Sequence, residues 1–259
     1  MGSDPRETSP VSWRSILLPS LLLLALSAAP RVVAETGRQS RMTPEERYEL
    51  GLRYLKRGYY TKALEQLNRV RNYYRDDPHA VLAELAIADL YFKKAEWDQA
   101  RVAYEDFERM HPHHEKSDYV VYRTGLCLWR KAPKVAARDQ VWTRQAVNTW
   151  SGFAARYPES ELLPDVQEKL TEGRDRLAHK ELVIGRFYFR RGAWRAAAGR
   201  FEGLLRVYPQ ASDRAEALGL LGLCQAHQGD MTAAQATLRK LQDEGIEGRR
   251  LGELQKLVE

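Results

Sequence analysis

The chain has 259 residues, 44% of them hydrophobic and 29% charged, with a formal net charge of +6. That is apolar content enough for a sizeable core, and it excludes a wholly disordered chain. The surplus of cations is mild; pairs such as Arg190-Arg191 and Arg249-Arg250 are scattered among acids, which points to solvated helix faces and not to nucleic acid. A balance of this size suits an anionic membrane surface or an acidic protein face. Residues 16–30, ILLPSLLLLALSAAP, form an apolar run after Arg14, and Val32-Val33-Ala34 precedes Glu35. This predicts a secretory signal over residues 1–34, cleaved after Ala34; an uncleaved N-terminal anchor is the alternative, although the run is short and broken by Pro19. The signal region contains no cysteine, so it offers no lipid attachment point. Residues 35–43, ETGRQSRMT, read as a polar linker.

Beyond the linker one mark recurs: a small residue, an aromatic, an alanine, a bulky apolar residue, then proline. One copy is Gly185, Tyr188, Trp194, Ala197, Phe201 and Pro209; Ala88, Tyr91, Trp97, Ala100, Tyr104 and Pro112 repeat it at the same offsets. Looser copies are Gly51, Tyr54, Tyr60, Ala63 and Leu67, with Pro78 three residues late; Gly125, Ala146, Trp150, Phe153 and Pro158; and Gly222, Ala234 and Leu238. This is the tetratricopeptide pattern, a helix–turn–helix repeat of about 34 residues. The expected fold is all-α, an α-solenoid of about five such repeats. They cover roughly 44–78, 80–113, 117–159, 178–210 and 214–245, and an amphipathic capping helix follows in 246–259. Residues 131–141 lengthen the turn inside repeat three. Residues 160–180 form a linker helix that runs into repeat four, giving one helix from about Pro164 to Arg191. Domain organisation follows: an N-terminal lobe over 44–159, the linker helix over 160–180, and a C-terminal lobe over 181–259.

Each feature of the mark has a packing reason. The small residues of the first helix (helix A) and the alanines of the second (helix B) allow close approach. The bulky residue four positions after each alanine fills the gap on the same face. Prolines are expected to end helix B, and Gly58, Gly192 and Gly229 to take the left-handed turn between helices. Cys127 and Cys224 occupy equivalent positions two repeats apart, too far for a disulfide, so both should be free and buried.

Chemistry-bearing groupings are weak. His111, His113 and His114 lie in a proline-broken turn near Glu115 and Asp118, which reads as solvated and not as a metal site. There is no phosphate loop and no nucleophile motif, so no enzymatic activity and no cofactor are expected. A binding role is expected instead, because stacked helix pairs build extended surfaces. The inner face of the A helices would hold Tyr48, Leu52, Leu55 and Lys56; then Leu85, Asp89, Phe92 and Lys93; then Tyr122, Leu126, Trp129 and Arg130. Aromatics beside cations suit a peptide with an aromatic end and a carboxylate. Helical stripes also build cores, and for Tyr48, Tyr122 and Trp129 both readings stay open.

Longer strings resemble the BamD family of the outer-membrane β-barrel assembly machinery. These are His111-Pro112-His113-His114 followed by Asp118-Tyr119-Val120-Val121-Tyr122 and Gly125-Leu126; Arg138-Asp139-Gln140; Tyr157-Pro158-Glu159-Ser160 through Arg176-Leu177-Ala178 and Glu181; and Phe187-Tyr188 through Arg191-Gly192-Ala193-Trp194, then Arg200 and Tyr208-Pro209. They span about residues 44–240. The resemblance implies a periplasmic protein at the inner face of the outer membrane. Its C-terminal repeats would dock on a POTRA domain of the β-barrel subunit, with Arg200 in the docking surface. Its N-terminal repeats would receive unfolded outer-membrane proteins through their C-terminal signal. By residue type alone, Arg200 is an exposed helix charge. The family is one of lipoproteins, which the missing cysteine does not match, and the loop at 131–138 is shorter than the family's. A periplasmic adaptor of the Tol–Pal system, or a module assisting a peptidoglycan enzyme, is the alternative reading.

Overall fold

The computed structural model describes residues 42–259; the expected signal over 1–34 and nearly all of the linker lie outside them. The described residues fold into helices joined by turns. In chain order these are α1 (Pro44–Lys56), α2 (Tyr60–Tyr73), α3 (Pro78–Lys93), α4 (Trp97–Met110), α5 (Ser117–Lys131), α6 (Val141–Trp150), α7 (Phe153–Arg156), α8 (Leu163–Arg190), α9 (Trp194–Val207), α10 (Arg214–His227), α11 (Met231–Asp243) and α12 (Arg249–Val258). Consecutive helices pack as antiparallel pairs, α1 with α2, α3 with α4 and onward, in the repeat order expected. Helix α1 starts on a capping box: the Thr43 hydroxyl accepts from the Glu46 amide, and the Glu46 carboxylate accepts from the Thr43 amide at 3.0 Å.

The repeat register is visible in burial. Ala63, Ala100, Ala146, Ala197 and Ala234 are all fully buried. The small residue of helix A receives the bulky side chain of its own helix B. A β-carbon built on Gly51 would meet Leu67 at 2.9 Å, one on Gly125 would meet Trp150 at 2.2 Å, and one on Gly185 would meet Phe201 at 2.3 Å. The last repeat differs. At Gly222 the intruder is Leu254 of α12, at 2.5 Å, and Leu254 is fully buried, so α12 covers the last helix pair.

Turns inside the repeats follow the expected chemistry, with one substitution. Gly58, Gly192 and Gly229 have φ of 78°, 73° and 80°, and Ala95 takes the same place in repeat two at φ 60°. Helix B ends alike in four repeats: Tyr74, His111, Tyr157 and Tyr208 are the C-caps, with φ between −128° and −135°. Pro112, Pro158 and Pro209 follow the last three directly. Pro78 does not end a helix. It is the first residue of α3, behind Asp77, whose carboxylate accepts from the His79 amide at 2.8 Å. Its missing N–H costs nothing at that position.

Repeat three carries both irregularities. The segment between α5 and α6 is tied down by the buried Gln140, whose amide donates to the carbonyls of Pro133 and Val135. Helix α8 runs 28 residues without a break. Val166, Leu170 and Leu177 join a core with Trp150 and Phe153, while Ala178 and Leu182 join the next core with Phe201 and Leu220. Gly173 sits mid-helix because α8 lies close there: a β-carbon would fall 2.5 Å from Val147 and 3.3 Å from Trp129. Cys127 and Cys224 are free and fully buried, as expected. Burial pushes both thiols up to about 12.

Candidate functional site

The inner-face residues of α1, α3 and α5 separate by depth. Leu55 and Leu85 are buried in the core, and Leu52 and Leu126 are partly so. Lys56, Lys93 and Arg130 are exposed near the C-terminal ends of the three A helices, each five residues after its repeat's small residue. No carboxylate lies within ion-pair distance of any of the three among the described residues. The negative end of each helix favours a cation there, and the equal spacing makes a row.

Tyr48 is half-buried with its ring 5.6 Å from that of His79. Its hydroxyl is pushed above the usual tyrosine value by burial, then by the charges of Glu49 and Asp89. Asp89 is the centre of a cluster that sequence reasoning did not assemble. The hydroxyls of Tyr104, from α4, and Tyr119, from α5, both donate to Asp89 Oδ1, the second at 2.7 Å. Arg123 of α5 lays its guanidinium 3.6 Å from the centre of the Phe92 ring. Its Nε donates to the Tyr104 hydroxyl at 3.1 Å, and its Nη2 lies 3.5 Å from Asp89 Oδ1. Burial opposes the charge of Arg123, but Tyr104, Tyr119 and Asp89 outweigh it and hold its pKa above the ordinary value. Burial and the Asp89 charge raise both tyrosines. Asp89 and Phe92 are therefore joined in a cluster that ties α3 and α4 to α5, and Arg123 is the cation that meets them. The pairing of Tyr119 with Arg123 at i, i+4 was the sequence signal for it.

Tyr122 and Trp129 face α8. The Arg176 guanidinium lies 4.2 Å from the centre of a Trp129 ring, and the Lys169 ammonium lies at 5.7 Å. Tyr122 is raised by burial and then by Asp165, both effects of the same neighbourhood. For Trp129 the packing role is the one observed: it joins α5 to Trp150 and α8.

Arg200 lies exposed on α9, with its guanidinium 3.1 Å from the Glu181 carboxylate on α8. The rings of His111 and His114 both pack on Phe107, at 4.9 and 5.1 Å between centroids, but their nitrogens have separate partners. His111 Nε2 meets Glu84 at 2.9 Å, and His114 Nδ1 accepts from the Lys116 amide. Among the described residues no group of three or more His, Cys, Asp or Glu could hold a metal ion, and no helix is long and apolar enough to cross a membrane.

Stacked helix pairs with a row of cations along their A helices define a tetratricopeptide-type binding scaffold. Residues 40–241 match the family described as YfiO, outer membrane lipoprotein, and the chain belongs to that family. It is 30% identical over 241 residues to the outer membrane protein assembly factor BamD of Neisseria gonorrhoeae, covering 88% of this chain and 90% of that protein. It is 28% identical over 254 residues to the BamD of Xylella fastidiosa strain Temecula1, covering 93% and 85%. Among solved structures it is similar to the TPR2AB domain of yeast Sti1, at 14% identity over 80% of each chain and a TM-score of 0.41.

Proposed function

We propose that this chain is a non-enzymatic scaffold and substrate receptor for outer-membrane β-barrel assembly, working in the periplasm at the inner face of the outer membrane. The observation that carries the reading is the family match over residues 40–241, with relatives named as assembly factors aligned along most of the chain. In this reading the N-terminal lobe receives unfolded outer-membrane proteins. Lys56, Lys93 and Arg130 supply cations for a peptide carboxylate, and Tyr48 supplies a half-buried ring beside them. Asp89, Phe92, Tyr122 and Trp129 act behind that surface, holding the helices that carry it. The C-terminal lobe docks on a POTRA domain of the barrel subunit, and Arg200 exchanges its exposed contact with Glu181 for an acid of the partner. An exposed pair is worth at most about 1 kcal/mol, so the exchange is cheap.

Two titrations test the reading. A peptide ending in an aromatic residue with a free carboxylate should bind more tightly than its amidated form, and Lys93→Glu together with Arg130→Glu should remove the difference. Separately, Arg200→Glu should weaken capture of the purified POTRA region with helical content unchanged. Equal binding of both peptide forms would sink the receptor half, and wild-type capture by the Arg200 variant would sink the assigned docking residue.

A further inference from the structure

A groove lies away from the A-helix row. It measures about 870 Å³, with α3 as its floor and the flanking B helices, α2 and α4, as walls. Val81 and Tyr91 line the floor, and Val102 and Met110 stand on the α4 wall, 47% and 59% exposed. Apolar side chains so exposed within one trough mark an interaction surface. The lining of α4 runs from Asp98 to Met110, about 18 Å of helix.

The charges around the trough are unbalanced. Its acids are engaged: Glu84 by His111, Asp98 by Lys131 and Asp106 by Arg109. On the opposite wall Arg71 donates to the side chain of its neighbour Asn72, and neither Arg71 nor Arg75 meets a carboxylate among the described residues. The next trough along the array shows what is missing. There Glu108, eight residues after Ala100, is bonded at 2.6 Å to Arg156, ten residues after Ala146. The same register places Arg71, eight after Ala63, on one wall of the first trough and Met110, ten after Ala100, on the other. The first trough therefore carries a cation where the second carries an acid, and a thioether where the second carries the cation. Among the described residues no ion pair joins its two walls.

We propose that this groove docks a short amphipathic helix of a partner protein, with its aliphatic stripe over Val81, Val102 and Met110 and its carboxylates against Arg71 and Arg75. Helix-in-groove recognition lays the apolar face of a helix into an apolar trough, and a charged rim selects which flank fits. The two cations select an acidic edge. A second copy fits less well, because a two-fold pairing presents the same arginine-bearing wall from both sides.

The test uses the full chain and a synthetic 16-residue helical peptide with leucines at i, i+3, i+4 and i+7 and glutamates along one flank, beside a sibling with lysines for the glutamates. The acidic peptide should bind about tenfold more tightly than the basic one and should protect amides of α2 and α4 from hydrogen exchange. Val102→Asp should weaken it by about the same factor with an unchanged thermal midpoint. Arg71→Glu combined with Arg75→Glu, which alters the half-buried and the exposed cation of that wall, should reverse the preference between the peptides. Absence of saturable binding, equal affinity for both peptides, or protection confined to α1 and α5 overturns the proposal. So does concentration-dependent dimerisation abolished by Val102→Asp, which gives the groove to a second copy.

Discussion

The indole of Trp150 stands where a side chain on residue 125 would have to stand. A β-carbon at Gly125 would lie 2.2 Å from Trp150 Nε1, and that same N–H donates to the Tyr122 carbonyl at 3.3 Å. The repeat therefore locks through one knob from helix B and one missing side chain on helix A. Gly125→Ala should cost about 1–3 kcal/mol by overpacking, seen as a lower thermal midpoint. Gly199→Ala is the control. Its site on α9 is open, so alanine should stabilise by about 0.5–1 kcal/mol through helix propensity. Equal effects at the two positions would remove the packing explanation.

Ala95 occupies the turn that glycine fills in three other repeats, at φ 60°. The left-handed region costs an L-residue about 1–2 kcal/mol, partly offset by glycine's larger unfolded entropy. Ala95→Gly should raise stability by about 0.5–1 kcal/mol in urea unfolding. A destabilised variant would mean that the turn is held by its flanking helices alone.

Asp89→Asn should act on folding as well as on peptide binding. It leaves Arg123 partly buried without its anion and gives the hydroxyls of Tyr104 and Tyr119 a weaker acceptor. The loss should be roughly 1–3 kcal/mol. In a double-mutant cycle Arg123→Gln should recover part of it. Strictly additive losses would show that the two residues act separately.

The buried thiols set an alkaline limit. Burial raises Cys127 and Cys224 from 9.0 to about 12. Above pH 9 the unfolded thiols ionise while the folded ones keep their protons, so their contribution to stability is intact below that pH and is lost as pH climbs towards 12. Urea midpoints should fall across that window, less steeply in a double cysteine-to-alanine variant. A thiol reagent should label the native chain at pH 8 only at the rate of its opening.

The repeat register was legible in the sequence because each of its marks has a local cause: a small residue, an alanine, a ring or branched side chain, and a turn residue. The long helix was legible for the same reason, as an apolar period with no stop signal between Pro164 and Arg190. What the sequence does not show depends on which helix lies across from which. On α5 alone Trp129 fits a groove or a core equally, until α8 folds back and sets Arg176 over its ring. Asp89 reads as one residue of the inner face, until Tyr104, Tyr119 and Arg123 arrive from two other helices. Pro78 starts a helix where the repeat spacing predicts the end of one, and the reason is local. Asp77-Pro78 is a helix-start signal, and its lateness relative to the other prolines reflects that different job.

Repeat arrays usually unravel unit by unit, because each unit touches only its neighbours. Here the middle of the array is spliced. Leu177 and Ala178 are consecutive residues of α8 that belong to different cores, and about 42 Å of unbroken helix passes through both. Melting either core strips one flank of the same rod, so the centre should resist opening and fraying should begin at the two ends, with α1 and α12. Exchange of backbone amides along α8 should then be uniformly slow, making the junction between the two cores the last part of the chain to come apart.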